Sequence, residues 1–349
     1  MRKRVTILGA GSWGIANANL LAHNGSEVTL WEFDPDELEL LRTEREHPRK
    51  LPGIIIDNSI YLVGDLTDAL EGAEIVIFAI PTQKIAEVCR HISAASVTQS
   101  KLVISLSKGI EQGSLRRVSQ IIGDEWVGIH PENIVSLSGP SHAEEVSRQI
   151  PTSVVVAGNE DKCQLTQEIY SNPVFRVYRS SDLIGVELGG SLKNVIAIAA
   201  GIVRGLGFGD NTLGALITRG LAEISRLAYA MGAEPETLAG LSGIGDLVAT
   251  CTSTHSRNQT VGYQIGQGKT LKEVLSGMVM VAEGVTTCRS ARQLAKDMSI
   301  EMPITEAVCE VLFEDLPARE AVTSLMTRPL KAEVSVKSEY MNGGTNAQN

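Results

Sequence analysis

The sequence predicts an α/β protein: an N-terminal, doubly wound, largely parallel sheet followed by an all-helical C-terminal domain. Three observations carry this. Short β-branched runs alternate with segments of helical period through the first half of the chain, as strand–helix–strand units do. The run "EIVIFAI" is apolar on both faces, as a central parallel strand is. Beyond about residue 182 the β runs stop, and apolar residues recur only at helical spacing.

In chain order, the expected strands are "RVTIL" (4–8), "EVTLW" (27–31), "IYLV" (60–63), "EIVIFAI" (74–80), "KLVISLS" (101–107), "NIVSLSG" (133–139), "TSVVVAG" (152–158) and "VFRVY" (174–178). Helical period is read over 13–23, 35–45, 82–91 and 114–122. In the second half Leu213, Leu216, Ile217, Leu221, Ile224 and Leu227 mark one helix face, and Pro235 and Pro303 stand at first helical positions. These readings divide the chain into domains 1–181 and 182–335, with a polar tail, 336–349, expected to be frayed. With no repeat and no Pro/Ser-rich linker, the halves are expected to share a large interface, and a cleft there is the natural place for a ligand.

Composition narrows the function. The chain has 349 residues, 43% hydrophobic and 21% charged, the balance of an ordinary globular protein. A net charge of −10 argues against nonspecific nucleic-acid binding, and it requires any anion site to be locally positive. Cys89, Cys163, Cys251, Cys288 and Cys309 are scattered without C-x-x-C spacing, so they read as buried thiols in a reducing compartment, with no disulfide frame and no metal site. The apolar run after "MRKR" is too short for a signal peptide. The longest apolar stretch, "VIAIAAGIV", falls short of the ~20 residues of a spanning helix. The expectation is a cytoplasmic protein.

Gly9, Gly11 and Gly14 fall at G-x-G-x-x-G spacing after the first strand, where a helix opens and a second strand follows within about thirty residues. In that setting Gly9 permits the turn, Gly11 removes a Cβ that would strike a pyrophosphate, and Gly14 lets helix and strand pack closely. The bare helix N-terminus supplies amides and partial positive charge. This is the Rossmann-type reading; the alternative is a helix start whose glycines are dispensable. Glu32, after the second strand, is placed to accept from a ribose 2′-hydroxyl, favouring NAD over NADP, or else it points to solvent.

Three further stretches suggest chemistry. "SLSKGI" puts Lys108 past a strand end, and "LSGPSHAEE" puts Gly139 and Ser141 at another. In "VELGGSLKNVIAIAAG", Lys193 shares a helix face with Gly189, Gly190, Ala197 and Ala200. Two mid-helix glycines each cost about 1 kcal/mol relative to alanine, and close approach of a planar ring is the expected compensation. A desolvated lysine near a second cation has its pKa drawn down toward that of a general base. After Asp246 in a glycine-rich turn, Ser256, Arg257 and Asn258 open a helix over 257–267; the N-cap, the free amides and the arginine suit a phosphate, or equally an ordinary cap with a surface arginine. His255 reads as structural.

Taken together, "GAGSWG", "SKG", "SGPSHAEE", "LGGSLKNVIAIAAGI", "ITRGLAEISRL", "LSGIGDL", "SRN" and "EMPITEAV" resemble the bacterial glycerol-3-phosphate dehydrogenases that use NAD or NADP, over residues 5 to about 330. The resemblance implies reversible hydride transfer between a nicotinamide cofactor and C2 of sn-glycerol 3-phosphate, for phospholipid synthesis. It puts the proton acceptor on Lys193 and substrate contacts on Lys108, Gly139, Ser141, Lys193, Asp246, Ser256, Arg257 and Asn258. Its cofactor contacts fall on Ser12, Trp13, Phe33, Lys108, Ala143, Arg257, Val281 and Glu283, beside the glycine loop of Gly9, Gly11 and Gly14. Phe33 stands where many relatives carry a basic residue, which weakens the case for NADP. The nicotinamide is expected against Gly189 and Gly190, with Lys108 and Asp246 orienting the substrate. The expected partners are a small-molecule substrate and a second copy in a homodimer, with no nucleic acid and no membrane span. A dehydrogenase of another small phosphorylated hydroxy acid shares the glycine loop but does not predict "SRN"; a dinucleotide-sensing protein without turnover has no need of Lys193.

Overall fold

The computed structural model describes residues 3–92, 101–330 and 332–333; the expected tail, 336–349, lies outside them. The strands are β1 (Arg4–Leu8), β2 (Glu27–Trp31), β3 (Tyr61–Val63), β4 (Ile75–Phe78), β5 (Leu102–Ser105), β6 (Ile134–Ser138), β7 (Thr152–Ala157) and β8 (Phe175–Ser180). All eight expected strands are present. They form one sheet in the order β3-β2-β1-β4-β5-β6-β7-β8, parallel throughout except between β6 and β7. The order reverses between β1 and β4, so the loops leaving these two strands diverge and open a crevice at the C-terminal edge of the sheet.

Helices α1 (Ser12–His23), α2 (Pro35–Glu44), α3 (Leu66–Leu70), α4 (Ile85–His91), α5 (Val118–Glu125), α6 (Ala143–Val146) and α7 (Glu160–Tyr170) complete this half. The helix expected over 114–122 begins only at Val118. Leu115 takes a left-handed backbone (φ 61°), and Ile110 pairs with Arg117, so the intervening residues fold back as a loop.

Beyond β8 the described chain is helical: α8 (Leu183–Gly205), α9 (Asp210–Ala230), α10 (Pro235–Leu238), α11 (Asp246–Thr252), α12 (Arg257–Gly266), α13 (Leu271–Ser276), α14 (Glu283–Asp297), α15 (Pro303–Phe313) and α16 (Ala318–Met326). Pro235 and Pro303 each open a helix, as expected. Asp182 caps α8, accepting from the Gly185 amide at 2.7 Å.

Two sequence readings need correction. Helix α8 extends well past "VIAIAAGIV": its 23 residues, with a mean hydropathy of 1.5 over the apolar window, are long and apolar enough to cross a membrane. That window is wholly buried inside the protein, where α8 is the central post of the helical half. Cys288 on α14 and Cys309 on α15 are joined by a disulfide, with Cα atoms 6.0 Å apart, whereas Cys89, Cys163 and Cys251 are free and buried. Sequence spacing could not pair them, because it is the packing of α14 on α15 that makes them neighbours.

Helices α8 and α12 cross almost backbone to backbone. A Cβ on Gly262 would overlap the Ile198 carbonyl oxygen, and one on Gly201 would overlap that of Gln259. Since α8 carries Lys193 and α12 begins at Arg257, these glycines set the distance between two halves of the site. Gly262→Ala is expected to lower the free energy of unfolding by about 1–3 kcal/mol through overpacking; urea denaturation measures this, and an unchanged midpoint would contradict the close crossing.

Candidate active site

The C-terminal ends of β1, β4, β5 and β6 deliver the glycine loop, Thr82, Lys108 and Gly139–Ser141 to one edge of the sheet. Gly9 takes φ +107°, and a Cβ on Gly14 would overlap the Gly9 carbonyl oxygen, so both are required by the turn itself. Gly11 differs: among the described residues nothing lies within 4 Å of where its Cβ would stand. Among the described residues no side chain caps α1, and its first amides lie beside that open space. The Ser12 hydroxyl donates to the Lys50 carbonyl at 2.6 Å and lies 2.9 Å from the Met280 sulfur, which reaches over from the helical half. Trp13 packs partly buried against the sheet core.

Lys193 is 7% exposed in the middle of α8. Its ammonium donates to Asp246 Oδ1 and, at 2.7 Å, to Thr250 Oγ1. Lys108 reaches the other oxygen of the same carboxylate, Asp246 Oδ2, at 2.8 Å, and the Gly139 carbonyl at 3.2 Å. Burial, aided by the positive charge of Lys108, lowers the Lys193 pKa to about 8 against the opposing pull of Asp246. Burial alone would raise Asp246, but the two lysines outweigh it and hold the carboxyl below its ordinary range. Thr250 was missed in the sequence. Its place one turn after Asp246 on α11 was the available signal: the spacing puts both side chains on one face.

Helix α12 begins at Arg257 with Ser256 as N-cap, its hydroxyl accepting from the Gln259 amide at 3.2 Å. The exposed Arg257 donates to the Val281 carbonyl at 2.9 Å. Asn258 is buried and engaged within the protein, donating to Asn194 Oδ1 and accepting from the Gly284 amide, both at 2.9 Å. It ties α8, α12 and α14 together. Ser141 donates to the Gly139 carbonyl at 3.0 Å, beside Ala143 at the start of α6.

The expectation that Gly189 and Gly190 make room for a nicotinamide ring is overturned. A Cβ on Gly189 would stand 2.5 Å from the Ser242 carbonyl oxygen, and one on Gly190 would stand 2.5 Å from Ser138 Oγ and 3.6 Å from the Lys108 stem. The protein itself occupies that space. The two glycines let α8 sink against β6 and the turn Leu241–Gly245, and this brings Lys193 to Lys108 and Asp246.

Cofactor-sized room lies elsewhere. Glu32 is 4% exposed, accepts from the Asp34 amide at 3.1 Å and is raised above its ordinary pKa by burial; it does not point to solvent. It lines a cavity of about 480 Å³ with Phe33, Asp34, Glu37, Arg49, Lys50 and 276–279. Phe33, 74% exposed, forms part of its rim. Arg49 and Lys50, which no motif singled out, are brought there by buried His47, whose Nδ1 accepts from their amides at 3.4 and 3.2 Å while Nε2 meets Glu37. At the other end of the crevice Glu283 Oε1 accepts from the Thr82 amide at 2.9 Å, and burial raises its carboxyl to about 7. Thr82 Oγ1 and Glu283 Oε2 are buried without a hydrogen-bond partner among the described residues, and both lie close to Gly109. Bare helix amides beside an open glycine, a buried acid at the far pocket and unmet polar atoms near Lys108 fit the pyrophosphate, ribose and carboxamide of a nicotinamide dinucleotide.

A buried amine held close to neutral pH, at the strand ends where a dinucleotide lies, is the arrangement of a two-domain nicotinamide-dependent dehydrogenase. The family models for the N- and C-terminal parts of NAD-dependent glycerol-3-phosphate dehydrogenase match residues 4–164 and 182–323, and the chain belongs to that family. It is 49% identical to a glycerol-3-phosphate dehydrogenase [NAD(P)+] of a Geobacter species, over 95% of this chain and 99% of that one. Identity is likewise 49% to the enzyme of the same name from Geobacillus thermodenitrificans, over 95% and 97%. The crystal structure of glycerol-3-phosphate dehydrogenase from Coxiella burnetii superposes with a TM-score of 0.89 at 37% identity, covering 94% of this chain and 99% of that one. A D-mandelate dehydrogenase, at 14% identity and a TM-score of 0.60, shares the fold alone.

Asp246→Asn leaves one buried and one half-buried amine facing a neutral amide. Its expected cost is about 3–5 kcal/mol of stability at pH 7; chemical denaturation measures it, and a loss below about 1 kcal/mol would show that Asp246 does not hold both charges.

Proposed function

We propose that the protein reduces dihydroxyacetone phosphate to sn-glycerol 3-phosphate, reversibly, with Lys193 as general acid in reduction and general base in oxidation. The observation that carries this reading is the Lys193–Asp246–Lys108 cluster, buried at the strand ends, with the Lys193 pKa lowered to about 8. A reduced nicotinamide, when bound, supplies the hydride to C2. Lys193 gives the carbonyl oxygen its proton: an N–H bond breaks, an O–H bond forms, and a neutral amine remains that accepts the proton back in the reverse direction. With two ammonium groups on one carboxylate the cluster carries a net positive charge, which stabilises negative charge developing on that oxygen. Thr250 and Asp246 fix the direction of the Lys193 N–H bonds. The substrate phosphate is read at the start of α12, where the Ser256 cap, the first amides and Arg257 supply donors and charge. Gly139 and Ser141 hold the substrate from the sheet side; Ala143, Val281 and Glu283 lie along the cofactor.

The reading extends to the cell: a cytoplasmic enzyme, acting as a homodimer, that supplies the glycerol phosphate backbone of phospholipids. Complete burial of α8 marks it as a core helix of the protein.

Two measurements test the chemistry. Reduction uses the ammonium form, so kcat for dihydroxyacetone phosphate should fall as pH rises through about 8, while kcat for glycerol 3-phosphate oxidation should rise through the same region. Lys193→Ala should remove both limbs and lower kcat by about 10²–10⁴-fold, leaving NADH binding by fluorescence near normal; retention of most of the rate would exclude Lys193 from proton transfer.

Buried Glu32 supports NAD as the preferred cofactor, because a carboxylate there accepts from a 2′-hydroxyl and repels a 2′-phosphate. Glu32→Ala should raise KM for NADH more than KM for NADPH in parallel assays. Equal changes would place the ribose away from Glu32.

A further inference from the structure

Two histidines beside the cleft have no role in the chemistry derived so far. His142 lies in the sheet half, between Ser141 and Ala143, as the residue preceding α6. His255 lies in the helical half, immediately before Ser256 and Arg257. Their rings face each other at 5.8 Å between centroids, inclined by 51°. His142 Nε2 lies 3.4 Å from the Ala249 carbonyl on α11, the helix whose Asp246 and Thr250 hold Lys193. That contact makes Nε2 the protonated nitrogen and leaves Nδ1 to take up a second proton. The His255 amide donates to Ser253 Oγ at 3.1 Å, which fixes the turn leading into α12.

We propose that His142 and His255 form a clasp between the two halves, closed over the phosphate end of the substrate, and that the clasp determines the affinity for the phosphate dianion. This rests on the placement of the phosphate at the start of α12. The flanking residues Ser141 and Ser256 are the two hydroxyl-bearing positions read as substrate contacts, one from each half, so the ring pair spans the same gap that the substrate spans. The charged groups around His142 come from every element packed on it: Lys193 from α8, Asp246 from α11 and Glu144 from α6, with Arg257 of α12 facing Glu144. Burial and the Lys193 charge keep the His142 ring neutral at neutral pH. A phosphate dianion brought beside it favours the imidazolium, so substrate binding takes up a proton and tightens as pH falls. The tilted ring contact meanwhile holds the β6–α6 loop against the turn before α12, so the two donor sets converge on one oxyanion.

The test uses the full-length protein with NADH and two acceptors, dihydroxyacetone phosphate and unphosphorylated dihydroxyacetone, between pH 6 and 8.5. Three variants are compared with wild type: His255→Ala, His255→Phe, which keeps a ring without a titratable nitrogen, and His142→Gln, which keeps an N–H toward Ala249. With the phosphorylated acceptor, His255→Ala should raise KM about five- to tenfold, the scale of one lost aromatic-pair contact, with kcat and the KM for NADH unchanged. His142→Gln should flatten the rise of KM with pH that wild type shows. His255→Phe should recover part of the KM lost in His255→Ala, through the ring contact alone. With dihydroxyacetone all four proteins should be alike. Wild-type KM and wild-type pH dependence in both His255→Ala and His142→Gln would overturn the clasp, and so would an equal loss on both acceptors. A wild-type protein inactive on dihydroxyacetone phosphate but active on a phosphorylated keto acid would instead bring down the function proposed above, and the clasp with it.

Discussion

One carboxylate shared by two lysines is the constraint on which the site depends. Asp246 is buried on α11, and its two oxygens receive Lys193 from α8 and Lys108 from the loop after β5. The bond is at once chemical and architectural. It joins the sheet to the helical half through Lys108, so parting the two halves breaks the Lys108–Asp246 pair and leaves Lys193 as the sole cation on that carboxylate. It also leaves a surplus amine, since two ammonium groups face one carboxylate. Burial presses on that surplus and brings Lys193 to about 8, where a proton is easily given and regained. An isolated buried lysine would lose its proton altogether; a lysine with a carboxylate of its own would keep it too firmly.

Placing Lys193 there demands an unusual helix. Helix α8 is buried along nearly its whole length and is touched closely on several sides. Gly189 and Gly190 let it settle against the turn Leu241–Gly245 and β6, and Gly201 and Gly205 let α12 cross it at backbone distance. The helix propensity lost at each glycine is returned as packing along the rest of the post. The same crossing positions the N-terminus of α12, and therefore Arg257, relative to Lys193. Helix packing thus fixes the span between Lys193 and Arg257, with Asn258 tying α8 and α14 to that end.

Glycine also shows where sequence reasoning loses its grip. In the N-terminal loop, bond geometry and the strand–helix context separate the roles, and the structure agrees with each: Gly9 for the turn, Gly14 for packing, Gly11 beside open space. At Gly189 and Gly190 the same missing side chain reads equally well as room for a ligand or room for the protein's own backbone. Only the neighbours decide, and these are Ser138 and Ser242, both far away in the chain.

Local physics therefore made much of the molecule legible. Period-two and helical patterning located all eight strands and the change to helices after β8, because burial on one or both faces leaves its period in the residues themselves. Strand-end placement singled out Lys108, Gly139 and Ser141, and apolar flanks marked Lys193 as a buried amine. What a linear pattern cannot contain is a pairing between distant residues. The Cys288–Cys309 bond, the reach of Thr250 to Lys193, the loop that His47 locks so that Arg49 and Lys50 pair with Glu37 and line one pocket with Glu32, and the facing of His142 by His255 each arise when separate elements pack. They depend on interhelical distance and register, which the whole core sets at once, and so tertiary structure alone decided them.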